Sequence, residues 1–281
     1  MKHIKSTSAF TMLELIFVII ILGIVASIGS EVIVRVYQGY IMQRAQHRAT
    51  LKTELAALQI TNRLISAIPG TLYRIKDDNT TESIDASMGG GDTYKGLQWV
   101  ASDTDTFSTS QKPGWSGFCD LNKSSKNSVI TPGSNLPITV AALQNLSGLP
   151  LLGLIDRTAI YFPDDPTTTH IVDHVVMGND EFILDSNASH MVEHYKLSWT
   201  SYALVVEDND EGGEDLNLYY NFLPTLATVN SYSNGIKALL IHNISTFRFK
   251  ITGRTMRFKI CKQEPISQDV NITACKEKAV F

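Results

Sequence analysis

The chain has 281 residues, 43% of them apolar and 19% charged, with 24 basic side chains against 28 acidic ones and a net charge of −4. That composition excludes a wholly disordered chain and a multi-span membrane protein. No Lys/Arg cluster provides the footprint of nucleic-acid binding, and the three cysteines are too few for a disulfide scaffold and too scattered for structural zinc.

The first predicted element is apolar. From Phe10 to Gly29 the chain reads FTMLELIFVIIILGIVASIG, with Glu14 its one charge. As a helix it spans about 30 Å, the thickness of a bilayer's hydrocarbon core. The preceding MKHIKSTSA carries Lys2 and Lys5 and no acid, so the positive-inside rule places residues 1–9 in the cytoplasm and the rest of the chain outside. A Sec signal peptide or a plain anchor has the same outline, with small Ala26, Ser27 and Gly29 near its end. Neither accounts for Glu14. A carboxylate costs about 2.5–3.5 kcal/mol at mid-membrane, less near the interface, and intramembrane carboxylates mark function.

The segment Ala9-Phe10-Thr11-Met12-Leu13-Glu14, between its short basic leader and the apolar run, resembles the class III signal of type IV pilins and type II secretion pseudopilins. The resemblance covers residues 5–35, with Ala9 where the family commonly has Gly. It implies prepilin peptidase cleavage between Ala9 and Phe10, N-methylation of Phe10, and Glu14 retained as the fifth residue of the mature chain. In a bundle of apolar helices an unpaired ammonium or carboxylate is costly, whereas the two together offset each other. Glu14 of one subunit is therefore expected to recognise the Phe10 amine of its neighbour. The implied partners are other pilin or pseudopilin subunits, the prepilin peptidase and an inner-membrane assembly platform, with no direct nucleic-acid contact. The implied location is the bacterial inner membrane, with a periplasmic head that joins a filament. The length and a long loop-rich insertion are most similar to a minor subunit, such as the J-type pseudopilin or a W-type minor pilin. The alternative is a membrane-anchored or Sec-exported periplasmic or surface binding protein outside any filament.

The expected organisation is a leader over 1–9, a transmembrane helix over 10–30, an amphipathic spine over 31–69 and a head over 70–281. In the spine, Val32, Val36, Ile41, Ala45, Leu51, Leu55, Leu58 and Leu64 recur at helical spacing, with Arg35, Arg44, Arg48, Lys52 and Arg63 between them. These apolar positions are expected to pack on a sheet. Pro69-Gly70 ends the helix, and Gly23 is a candidate bend. Residues 71–155, rich in Gly, Ser, Thr and Asp, read as an irregular connection with short strands and a small helix near Val140–Leu146. Strands are expected from Ala159 onward. Lys196–Glu207 and Leu216–Phe222 form one hairpin around the acidic loop Asp208–Asp215. Phe247, Phe249 and Ile251 pair across a turn near Gly253 with Met256, Phe258 and Ile260 in another. The fold class is α+β, a long N-terminal helix packed on an antiparallel β-sheet head.

Cys261 and Cys275 lie fourteen positions apart. In an oxidising periplasm a bridge closing so short a loop contributes about 3 kcal/mol, and the resemblance to type IV pilins also implies a C-terminal disulfide loop. Cys119 is then either free and buried or the true partner of one of the two. The stretch from Glu207 to Asp215 holds six carboxylates in nine residues. Asp208, Asp210, Glu214 and Asp215 form a candidate Ca²⁺ loop, of a kind some pseudopilins use. However, Gly212 and Tyr219 occupy ligand positions five and twelve of an EF-hand, and a solvated hairpin tip is the simpler reading.

His170 and His174, like His190 and His194, are four apart. On a strand that spacing is about 13 Å, too far for one zinc. No nucleophile elbow, phosphate-binding glycine loop or metalloprotease helix occurs, and the chain is expected not to be an enzyme. Six asparagines precede Ser or Thr by two positions: Asn79, Asn122, Asn145, Asn187, Asn243 and Asn271. Asn79, Asn122, Asn187 and Asn271 also carry Asp two positions before them, at Asp77, Asp120, Asp185 and Asp269. This D-x-N-x-S/T form resembles the acceptor of bacterial N-glycosylation systems; Asp and Asn also co-occur in ordinary turns.

Overall fold

The apolar run and the amphipathic stretch after it form one uninterrupted helix, α1 (Met12–Ile65), of 54 residues, about 81 Å long at 1.5 Å per residue. Gly23 does not break it. The computed structural model describes residues 11–86, 94–107, 112–148, 157–176, 178, 180–225, 231–253, 255–267 and 270–280. Thr11 caps α1 from an extended conformation, its hydroxyl oxygen accepting the Glu14 N–H at 3.4 Å. At the other end Ser66 donates its hydroxyl to the Arg63 carbonyl at 2.9 Å, and Pro69-Gly70 turns the chain back.

The remaining elements are β1 (Tyr73–Lys76), β2 (Thr81–Ser83), β3 (Tyr94–Ala101), β4 (Ser128–Ile130), α2 (Leu136–Ser147), β5 (Ala159–Phe162), β6 (Asp165–Val176), β7 (Glu181–Leu184), β8 (Lys196–Ser198), β9 (Thr200–Asp208), β10 (Glu214–Phe222), β11 (Ile236–Thr252), β12 (Thr255–Ser267) and β13 (Val270–Val280). They build two antiparallel sheets. The larger has the order β13-β12-β11-β10-β9-β3-β1-β2, and the smaller β4-β7-β6-β5-β8. The second hairpin follows the alternation of its sequence, with Phe247 opposite Ile260, Phe249 opposite Phe258 and Ile251 opposite Met256.

The first hairpin departs from expectation at Trp199, where its first strand divides into β8 in the small sheet and β9 in the large one. The ladder is interrupted by side chains. Ser198 donates its hydroxyl to the Thr200 carbonyl at 3.2 Å, and the Thr200 hydroxyl oxygen accepts the Asn221 N–H at 3.0 Å.

The stretch expected to be an irregular connection supplies much more. β1, β2 and β3 complete one edge of the large sheet, and β4 and α2 belong with the small one. β3 escapes a periodicity reading because its last six residues are all buried, so apolar and polar faces never alternate. Gly96 is required there: a Cβ would lie 2.5 Å from the Leu204 carbonyl oxygen on neighbouring β9. α2 begins near Pro137 and ends at Gly148 in the left-handed conformation (φ 69°).

Each sheet has its own core. Trp115, Val129, Phe162, Val172, Phe182 and Tyr195 fill that of the small sheet. α1 lies on β11, β12 and β13 and closes the other against Trp99, Leu204, Leu218, Ile241, Phe258 and Ile260. Its buried face is Ala45, Ala49, Thr53, Ala56, Ala57, Ile60 and Leu64, mostly small side chains that let the helix backbone lie close to the strands. This corrects the expected packing. Leu51, Leu55 and Leu58, assigned to the sheet by their spacing, point outward and are 50%, 60% and 42% exposed.

Candidate functional site

The first half of α1 protrudes from the head and is exposed among the described residues. From Thr11 to Tyr40 every residue is exposed, Glu14 among them in the first turn. This helix is long and apolar enough to cross a membrane. A continuous exposed apolar surface of this size belongs in lipid or against other helices rather than in water. The next charge after Glu14 is Glu31, which pairs with Arg35 one turn later. Ala9 and Phe10, the expected processing residues, lie outside the described residues.

The second half of α1 is locked to the head by named contacts. Glu54 receives Lys276 at 2.6 Å and Lys278 at 2.9 Å, both from β13. The hydrogen bonds from Lys276 and then Lys278 hold its carboxyl below the usual carboxylate range. Thr53 reaches the Ala274 carbonyl at 3.4 Å. Near the helix end, buried Trp99 donates its ring N–H to the Arg63 carbonyl at 3.3 Å. The Arg63 guanidinium lies 4.7 Å from the Tyr202 ring centre and donates to the Tyr202 hydroxyl at 2.7 Å. The spine, fixed to the head by these contacts, and the protruding half are thus one uninterrupted helix.

Cys261 and Cys275 face each other across β12 and β13 and form a disulfide. Cys119 is free and buried, its thiol pushed up by burial and 3.4 Å from the Ser124 hydroxyl.

The acidic loop is organised around Asn209. Its side-chain oxygen accepts the N–H groups of Glu211 and Gly213 at 3.0 and 2.8 Å, and its amide donates to Asp215 at 2.8 Å and Asn243 at 3.0 Å. His242 on β11 sits between two carboxylates, with Nδ1 2.7 Å from Asp215 and Nε2 3.2 Å from Glu211. The hydrogen bond to Asp215 is the chief reason its pKa is raised. Asp208, Asp210 and Glu214 do not join Asp215 in a common cage: no group of three or more His, Cys, Asp or Glu among the described residues is placed to share an ion. The arrangement is that of a pinned turn.

His170 and His174 both lie on β6, and His190 and His194 lie in the coil before β8. His170 is buried edge-on to Phe162, with no partner for either ring nitrogen among the described residues, and burial pushes its pKa down. A cleft of about 460 Å³ at the end of α1 is lined by Asn62, Arg63, Asp103, Asp105, Trp199 and Tyr202. Arg63 is held there by Tyr202. Buried Asp103 is committed to the Trp115 ring N–H at 2.9 Å, the Thr106 hydroxyl and the N–H groups of Asp105 and Thr106.

Asn79 lies between β1 and β2, Asn122 before β4, Asn187 after β7 and Asn271 at the start of β13.

Periodicity missed the helix–sheet contact because alanines carry it. The usable signal was the spacing Ala45, Ala49, Thr53, Ala56, Ile60, at steps of three and four. Glu54 and its two lysines lie more than 220 positions apart, beyond any local pattern. No family model matches the chain, and no match was found among curated proteins or solved structures.

Proposed function

We propose that the chain is a non-catalytic structural subunit, a minor pilin or pseudopilin, of a type IV pilus-like or type II secretion filament. A prepilin peptidase removes residues 1–9, Phe10 becomes the methylated N-terminus, and the subunit waits in the inner membrane with its head in the periplasm. The observation that supports this reading is the form of α1: one continuous helix, exposed from Met12 to Gly29 and apolar there apart from Glu14 and Ser27, whose far half is the spine of the head. A signal peptide or a tether needs no rigid coupling to the domain it delivers. A filament subunit does, because the head must be lifted and placed by its helix.

Assembly then consists of extracting that apolar half from lipid into a bundle of like helices. The apolar surface stays out of water throughout, so the step exchanges one apolar environment for another. The recognition element is a charge pair: Glu14 meets the Phe10 amine of the adjacent subunit in a medium where either charge alone is costly. Leu51, Leu55 and Leu58 continue the apolar contact along the outer face of the spine.

The deciding measurement is the mature N-terminus of the protein purified from its own cells. N-methyl-Phe10 is expected. A start near Ser30, or an intact Met1, would overturn the filament reading in favour of an exported or merely anchored protein.

A further inference from the structure

Six asparagines precede Ser or Thr by two positions, and the fold treats them very differently. An N-glycan acceptor must offer its amide to the transferase, with the hydroxyl two residues on close beside it, on exposed backbone. Asn79 fails the first requirement, since its side-chain oxygen accepts the Tyr232 hydroxyl at 2.9 Å. Asn243 fails likewise, held by the Asn209 amide at 3.0 Å within β11. Asn145 lies inside α2, where residues i and i+2 point to different sides of the helix. The Asn122 side-chain amide makes no hydrogen bond among the described residues, but the Ser124 hydroxyl oxygen is engaged by the Ile130 N–H at 2.9 Å and by Cys119.

Asn187 meets every requirement. It lies in the exposed segment that follows β7, and its side-chain amide makes no hydrogen bond among the described residues. Asp185, Asn187 and Ser189 are all exposed. The segment is held in place from below: the Asp185 N–H donates to the Ile171 carbonyl at 2.9 Å, the Ala188 N–H to the Lys126 carbonyl at 2.7 Å, and the Ala188 side chain is buried in the small-sheet core. The Ser189 hydroxyl makes one long contact, 3.4 Å, to Asp165. The backbone is therefore fixed while the three side chains of the D-x-N-x-S pattern remain available.

We propose that Asn187 is an N-glycosylation site. The donor class is a lipid-linked sugar pyrophosphate. The Asn187 Nδ2 attacks the anomeric carbon and a C–N bond forms. The anomeric C–O bond to the pyrophosphate breaks, the lipid pyrophosphate leaves with the electron pair, and the amide proton passes to a base of the transferase. Nothing is oxidised or reduced. The site requires a head outside the cytoplasmic membrane but no filament, so it is independent of processing at Phe10.

The test uses the full chain purified from its native envelope. The tryptic peptide Thr158–Lys196 contains Asn187 as its one such sequence. Mass spectrometry is expected to find a glycan increment on that peptide, with fragment ions placing it on Asn187. Asn187→Gln and Ser189→Ala should each abolish the increment, and Asp185→Ala should lower its occupancy several-fold. A bare peptide in the native protein would overturn the proposal whatever the variants do. So would equal occupancy at Asn79, Asn122, Asn145 or Asn243, because accessibility would then not select the site.

Discussion

Glu54 of the spine and Lys276 of the edge strand β13 meet at 2.6 Å, joining residues from opposite ends of the chain. With Lys278 on its other oxygen, Glu54 clasps the last strand of the sheet to the helix. These bonds hold its carboxyl below the usual range, so the unfolded chain binds the proton more readily than the folded one. The contribution is full above the ordinary carboxylate pKa and is lost as pH falls through the lowered folded value. Glu54→Gln is expected to lower the Tm of the full chain in detergent at neutral pH. The gap between the two proteins should close in acid and narrow in high salt, because the clasp is exposed to screening. A gap that persists at low pH would assign the effect to packing rather than charge.

Ala49 is fully buried beneath the sheet, whereas Leu55 on the other side of the same helix is 60% exposed. Ala49→Leu forces side-chain volume into a contact that only a small residue fits, and overpacking of this kind costs about 1–3 kcal/mol. Leu55→Ala removes a mostly exposed side chain, and such surface changes fall within about 0.5 kcal/mol. Thermal melts of the two variants should therefore rank opposite to the sizes of the natural side chains. If Leu55→Ala also reduces recovery in sheared filaments, the outer face of the spine is a packing surface between subunits.

How far the fold could be read ahead depended on where the information lay. The apolar run and the alternation in Phe247–Ile251 and Met256–Ile260 are local, and each corresponds to an element of the structure, while the helix stops at Ile65, a few residues before the expected break at Pro69-Gly70. The disulfide was legible because Cys261 and Cys275 pair within one hairpin. β3 was not, because burial on both faces erases the two-residue period. Trp199 was not, because the step from one sheet to the other depends on hydroxyls of Ser198 and Thr200 that resemble ordinary strand residues. At Asn187 the sequence supplied the pattern, but only the fold separates it from Asn79, Asn122, Asn145 and Asn243.

His170 tests the small sheet. It is 1% exposed, lies edge-on to Phe162, and feels Asp165 as its nearby opposing charge. Burial disfavours the charged ring, so the folded pKa lies below the unfolded value of about 6.5. Between the two values the unfolded chain holds the extra proton, and stability falls as pH falls below about 6.5. His170→Phe keeps an aromatic ring against Phe162 and removes the proton. Denaturant unfolding is expected to show the wild type weakening between pH 7 and pH 5, with a flatter profile for His170→Phe over the same window. Parallel profiles would show that another group titrates.

The proposed filament role of Glu14 is separable from helix capping, and one pair of variants distinguishes the two. Thr11-Met12-Leu13-Glu14 has the form of a helix capping box, and the Thr11 oxygen does accept the Glu14 N–H at 3.4 Å. A purely capping Glu14 would be replaceable by Gln, which offers the same side-chain oxygen without charge. A Glu14 that pairs with a neighbour's Phe10 amine would not, because Gln leaves that ammonium unneutralised in an apolar bundle. Glu14→Gln and Glu14→Ala are both expected to leave the Tm of the head unchanged in detergent, since residues 11–40 are exposed throughout among the described residues. Both should reduce the subunit in sheared filament fractions at least tenfold while its amount in the membrane stays constant. Normal incorporation of Glu14→Gln beside loss of Glu14→Ala would reduce Glu14 to a helix cap, and normal incorporation of both would remove it from assembly.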